Sequence, residues 1–165
     1  MRLLHFAPER CFRRRFVKLS HLNYVTTDLW ESEVTTQMDI TQLAFGDHTF
    51  GGIICSHVLE HTPDDRAAMG ELFRVLKLGG WAYIAVPIYW DRDTYEDSTI
   101  VSPQERLRAF GQEDHVRYYG RDIVDRLVDA GFQVQVQHAA DMEKDVVEKY
   151  RFDEDELMFL CTKPR

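Results

Sequence analysis

Three things are scarce in this chain, and each scarcity removes a class of protein. Cysteine comes first. Cys11, Cys55 and Cys161 lie far apart and form no C-x-x-C pair, so neither a disulfide framework nor a zinc ribbon is expected. A reducing, cytoplasmic setting suits that usage. Long apolar runs come second. The longest, WAYIAVPIYW, is about half of the roughly 20 residues a membrane helix needs, and the N-terminus lacks the charged-then-apolar pattern of a signal peptide. A soluble protein with no membrane partner is expected. Positive charge comes third. With 20 Lys and Arg against 28 Asp and Glu, the formal net charge is −8, which argues against nucleic acid as a partner because gripping phosphates needs a basic face. The one local exception, RCFRRRFVK at 10–18, reads as a helix with Glu9 in its first turn and its arginines on a solvated face.

What is present suits one domain. The 165 residues, 44% of them hydrophobic, can bury a single sizeable core. Apolar or β-branched runs occur at LLHFA (3–7), NYVTTDL (23–29), TTQMDI (35–40), GGIICS (51–56) and WAYIAVP (81–87), and helical patterns fall between them. That alternation is the pattern of a parallel sheet covered on both faces. Two later runs, FQVQVQH (132–138) and ELMFLCTK (156–163), read as an antiparallel pair closing the sheet.

Two helices are well signalled. In HTPDDRAAMGELFRVLKLGG, Thr62 is placed to cap, Pro63 to take the first helical position, and Asp64 and Asp65 to favour the positive end of the dipole. Ala68, Leu72, Val75 and Leu76 form its apolar stripe, and Gly79 and Gly80 are expected to end it. In GRDIVDRLVDAGF, Ile123, Val124, Leu127 and Val128 are expected to face inward and Gly131 to terminate. Between them, residues 89–119 are too long for a plain connector. They contain SPQERLRAF, where Ser102 and Glu105 make a capping box, and they read as a lid or substrate insertion.

Ligands of open parallel sheets bind at the carboxyl ends of strands, where strand order reverses. The residues at those ends are Ala7, Pro8 and Glu9, then Asp28, then Asp39 and Ile40, then Ser56 and His57. An acid about 20 residues beyond the first turn suits ribose hydroxyls, although each aspartate also reads as an ordinary turn residue. His57, Glu60 and His61, if helical, share one face where two imidazoles and a carboxylate could meet a divalent ion. Packing is the leading reading for those three, and no metal is assigned. In GQEDHVRYYG, His115 or Asp114 is a candidate base and Arg117 a candidate anion holder, set against a purely structural role.

The block MDITQLAFGDHTFGGIICSHVLEHTPDDRAAMGELFRVLKLGGWAYIAVP resembles the centre of class I S-adenosylmethionine-dependent methyltransferases, and SHVLEHTPDD…ELFRVLKLGG is its most specific part. The resemblance implies an α/β, Rossmann-like sheet of seven strands in the order 3-2-1-4-5-7-6, with the last antiparallel. It implies one domain over 1–165 and S-adenosylmethionine as cofactor. It places Asp28 on the ribose, Asp39 and Ile40 on the adenine, Ser56 and His57 beside the methionine end, and His5, Phe6, Ala7 and Glu9 in the first loop. The implied reaction moves a methyl group to a small-molecule hydroxyl, amine or carbon. The alternative is a non-catalytic binding protein or partner subunit, and an exposed cofactor face leaves room for a homodimer. Two departures stand out. His5 and APE replace the family's acidic-x-Gly-x-Gly-x-Gly, a variant similar to LHFAPE in some other methyltransferase-like proteins. The chain also begins inside the first strand, without the helices that usually precede it, as a truncated relative would.

Overall fold

The structure is a computed structural model and describes residues 1–150 and 157–165. In its first half, β1 (Arg2–Phe6), α1 (Arg10–Phe16), β2 (Asn23–Asp28), β3 (Thr36–Gln37) and β4 (Phe50–Ser56) are followed by a 3₁₀ turn at Leu59–His61. Then come α2 (Asp65–Val75), β5 (Leu76–Ala85), β6 (Ile88–Tyr89), β7 (Tyr95–Glu96), α3 (Pro103–Phe110) and β8 (Arg117–Gly120). The chain ends with α4 (Ile123–Asp129), β9 (Gln133–His138), α5 (Lys144–Tyr150) and β10 (Leu157–Thr162).

The large sheet runs β3-β2-β1-β4-β5-β10-β9. Counted within that sheet alone, this is the expected 3-2-1-4-5-7-6, and only β10 is reversed in direction. Burial explains the parallel part. Leu4, Ile53, Ala82 and Ile84 are wholly buried in β1, β4 and β5, and α2 covers one face with Ala68, Met69, Leu72 and Val75. Each of the leucine, isoleucine, valine and methionine side chains among them contributes about 1.5–3 kcal/mol by leaving water. β9 lies at the edge, and its two valines are only half-buried, as its alternating sequence implies.

Several local expectations are corrected. Thr62 does not cap α2, because its hydroxyl turns back to the Val58 carbonyl at 3.0 Å. Asp64 caps instead, accepting from Ala67 N at 2.9 Å, and Pro63 stays outside the helix. That helix ends at Val75, before the two glycines, and Leu76 already opens β5. Val128 faces outward, because the seven-residue α4 has room for one inward stripe only. α1 stops at Phe16, and Glu9 is its N-cap rather than part of its first turn, although the helix buries no residue, as expected of a solvated face. The third strand shrinks to two residues, and Glu156 of the last one lies outside the described residues.

The 89–119 segment is ordered by a second sheet, β6-β8-β7, which the sequence did not announce. Its helix α3 carries the expected capping box, Ser102 with Glu105, with proline in its first turn. Among the described residues no helix is long and apolar enough to cross a membrane.

Candidate functional site

Strand order reverses between β1 and β4, since β1 is followed by β2 on one side and β4 by β5 on the other. Both strands end there on a non-glycine residue in the left-handed region, Ala7 at φ 44° and His57 at φ 53°. Such a conformation costs of order 1 kcal/mol for a residue with a side chain, and it persists only where the surroundings impose it. Here the ladders impose it: Ala7 N donates to the Thr27 carbonyl and His57 N to the Ala85 carbonyl, each at 2.9 Å. The first loop thus makes a left-handed turn with alanine.

Those two turns floor a cleft of about 560 Å³. This lies within the roughly 300–1,000 Å³ of small-molecule sites. Phe6, Met38 and Ile40 give it apolar walls, and Asp28, Asp39, His57, His61 and Asp114 give it polar ones. Both strand-end aspartates are oriented by their own loops. Asp28 Oδ1 accepts from Trp30 N at 2.7 Å and Glu31 N at 2.8 Å, and Asp39 Oδ1 accepts from Thr41 N at 2.8 Å and its hydroxyl at 2.7 Å. They are turn residues and cleft residues at once, because a carboxylate has a second oxygen to offer. Arg74 fixes the loop behind Asp39 by donating to the Leu43 carbonyl at 2.9 Å and the Phe45 carbonyl at 2.7 Å.

The remaining expected residues lie off the cleft lining. His5 is wholly buried, with Nδ1 2.8 Å from the Tyr24 hydroxyl and Nε2 3.1 Å from Glu9 Oε2. Burial, then the Glu9 charge, pushes the Tyr24 phenol up to about 12. With the phenol as donor, Nδ1 accepts and Nε2–H donates to Glu9, so His5 holds the Glu9 carboxylate at the first loop. Burial alone would raise the Glu9 carboxyl, but the His5 hydrogen bond and nearby charges hold it below its usual value. Ser56 ends β4 half-buried. His115 lies 3% exposed, its ring 4.7 Å from that of His61, and lines a neighbouring aromatic hollow rather than the cleft. Burial, then His61, lowers its pKa, so the ring is neutral near pH 7.

His57, Glu60 and His61 do not share a helical face, because His57 precedes the 3₁₀ turn in a left-handed conformation. His57 Nδ1 instead contacts Glu60 Oε1 at 3.1 Å, and His61 Nδ1 contacts Asp114 Oδ2 at 3.2 Å. Arg117 is no anion holder of the cleft. Its buried guanidinium donates to the carbonyls of Leu59, Thr62 and Pro63 and to Glu96, fastening β8 to the 3₁₀ segment. Sequence reasoning missed Trp30, 83% exposed at the cleft rim, although a tryptophan two residues past an acidic strand end was a signal for it.

A family model described as a methyltransferase domain matches residues 11–84, which takes in Asp28, Asp39, Ile40, Ser56 and His57 but not the first loop. No curated protein matches the chain. Among solved structures, a Mesorhizobium loti S-adenosylmethionine-dependent methyltransferase is similar, with TM-score 0.63, 11% identity, and 97% of this chain and 88% of that one covered. Haemonchus contortus phosphoethanolamine N-methyltransferase 2, solved with S-adenosyl-L-methionine, gives TM-score 0.68 at 15% identity, covering 100% of this chain and 49% of that one. A chain from the complex of Haloferax volcanii Trm112, a methyltransferase activator, with a candidate methyltransferase gives 0.65 at 14%, covering 99% and 83%. Residues 11–84 thus match a methyltransferase-domain model, and the sheet they help to form has the fold of the solved methyltransferases the chain is similar to.

Proposed function

We propose that the chain binds S-adenosylmethionine in the cleft between β1 and β4 and transfers its methyl group to a small-molecule acceptor. The observation that carries this reading is the pairing of two strained strand ends, Ala7 and His57, with carboxylates at the ends of the next two strands, Asp28 and Asp39. The residues fit the cofactor. Asp28 would accept from the ribose hydroxyls, Ile40 and Met38 would flank the adenine with Asp39 at its edge, and Glu9, held by His5 just off the cleft lining, would have to turn inward to meet the ammonium group. The first loop fits a ligand without phosphates. The Ala7 amide is already bonded to Thr27 and Pro8 has no N–H, so the loop offers little to the pyrophosphate of a dinucleotide.

The cofactor, when bound, supplies an electrophilic methyl group on a sulfonium. The protein's part is alignment and exclusion of water, because a displacement that loses charge at sulfur needs no strong electrophile. Asp114 lines the cleft and is the group proposed to take the acceptor's proton, whereas His115 stands behind His61. The 88–120 wall is the proposed acceptor side. The test is formation of S-adenosylhomocysteine on incubation with panels of small hydroxyl and amine compounds. Turnover with any panel member, reduced in Asp114→Asn, supports the reading, and absence of product with every panel counts against it.

The second reading, a non-catalytic or partner-dependent subunit, is favoured by the open rim, where Leu29 and Trp30 are 47% and 83% exposed. It predicts cofactor binding without turnover until a protein partner or a second copy of the chain covers that rim. The similar Haloferax chain comes from a complex with an activator.

A further inference from the structure

Two buried polar atoms beside the cleft have no hydrogen-bond partner among the described residues. Glu60 is 1% exposed and its Oε2 has no hydrogen-bond partner among the described residues, and His115, 3% exposed, has none for Nδ1. Leaving a buried acceptor unpaired costs roughly 1–3 kcal/mol, and more for a charged one, so a bonding partner at these atoms is the physical expectation. His61 completes the group. One ligand-type atom from each of Glu60, His61 and His115 lies within 4.8 Å of the other two.

We propose that Glu60, His61 and His115 bind one divalent metal ion of the zinc and first-row transition class. Two imidazoles and one carboxylate are a donor set for such ions, and three protein ligands leave coordination open to water or an oxygen donor. Glu60 and His61 are each held by their other atom, as ligands of metal sites are. Glu60 Oε1 contacts His57 Nδ1 at 3.1 Å, which leaves Oε2. His61 Nδ1 contacts Asp114 Oδ2 at 3.2 Å, which leaves Nε2. His115 Nδ1 is buried and has no hydrogen-bond partner among the described residues, which leaves it for an ion. Tetrahedral ligand atoms with bonds near 2.1 Å stand about 3.4 Å apart, so the three need to close by about 1.4 Å at most, within the reach of side-chain rotation. The ion would stand where the cleft, lined by His61, meets a hollow of about 390 Å³ lined by His115, Tyr89, Phe110 and Tyr118. It needs none of Ala7, Asp28 or Asp39, so it stands or falls apart from cofactor binding.

Untagged protein, stripped with a chelator and dialysed, is titrated with Zn²⁺ by calorimetry and with Co²⁺ by visible absorption. The expected result is about one equivalent bound, with ligand-field bands of a low-coordinate Co²⁺ site. Because His115 is buried and its replacement could unfold the chain, His61→Asn and Asp114→Asn carry the test, at side chains 34% and 71% exposed. His61→Asn should weaken Zn²⁺ at least about a hundredfold and Asp114→Asn about tenfold, the latter being a positioning effect. The exposed control His21→Ala should bind as the parent does. Absence of stoichiometric Zn²⁺ in the parent, or affinity unchanged in folded His61→Asn, overturns the proposal.

Discussion

The rim of the cleft and the wall beside it are held by opposite means. At the rim, Asp28 and Asp39 bond amides only two or three residues away, Ala7 and His57 hold strained dihedrals, and Trp30 lies open to solvent. In the wall, long-range charges converge. Asp65, 3% exposed, accepts from Tyr119 at 2.8 Å and Arg126 at 3.0 Å, with Arg117 at 3.8 Å, while Glu96 bridges both arginines at 3.0 and 3.2 Å. Burial, then the Asp65 charge, pushes the Tyr119 phenol well above its ordinary value, which keeps it a donor. The difference teaches that the wall is fixed by buried charge drawn from distant parts of the chain, whereas the rim is preset by backbone shape and is left accessible.

The comparison can be broken most forcefully in the wall. Asp65→Ala should cost about 3–5 kcal/mol in urea unfolding, because two guanidiniums lose their buried counter-charge. A loss below about 1 kcal/mol would show that the network is not what holds the segment. At the rim, Ala7→Val should lose about 1–3 kcal/mol, because a β-branched residue resists the left-handed conformation. Ala7→Gly should stay within about 1 kcal/mol of the parent, relief of strain offsetting added freedom in the unfolded chain. A Val variant as stable as the Gly one would contradict the strained turn. Glu96→Ala should cost less than about 1 kcal/mol in the same assay, since its side chain is 45% exposed and water screens the pair.

The smallest effect concerns acid. Burial would raise the Asp122 carboxyl, but hydrogen bonds from Thr94 N and Oγ1, both at 2.6 Å, and from Arg126 hold it below its usual value. A depressed carboxyl contributes stability above its unfolded pKa near about 4, and that contribution is lost as pH falls through the folded value. Unfolding of Asp122→Asn followed from pH 6 downward should therefore show a flatter acid limb than the parent. Parallel limbs would contradict the linkage.

The run of strands and helices was legible from apolar runs of strand length, and the acids at strand ends from the same local pattern, whereas the sheet order came from the family resemblance. The Ser102–Glu105 box was legible for the same reason, since both partners lie within one turn. The wall was not. Asp65 reads in sequence as a residue favouring a helix N-terminus, and only the fold brings Arg117 and Arg126 to it from more than fifty residues away. The start of α2 was misplaced because Thr62 and Asp64 compete as caps, and the Val58 carbonyl takes the threonine hydroxyl. The left-handed turn at Ala7 leaves no trace in composition, because alanine does not advertise a positive φ.

The central claim is that a turn without glycine still serves a cofactor. Calorimetric titration of the parent and Asp28→Ala with S-adenosylmethionine and S-adenosylhomocysteine tests it most directly. The account predicts saturable binding of both ligands, weakened at least about tenfold in the variant, as loss of a charge-assisted hydrogen bond implies. No binding by the folded parent at millimolar ligand, or equal affinity in both proteins, would contradict it.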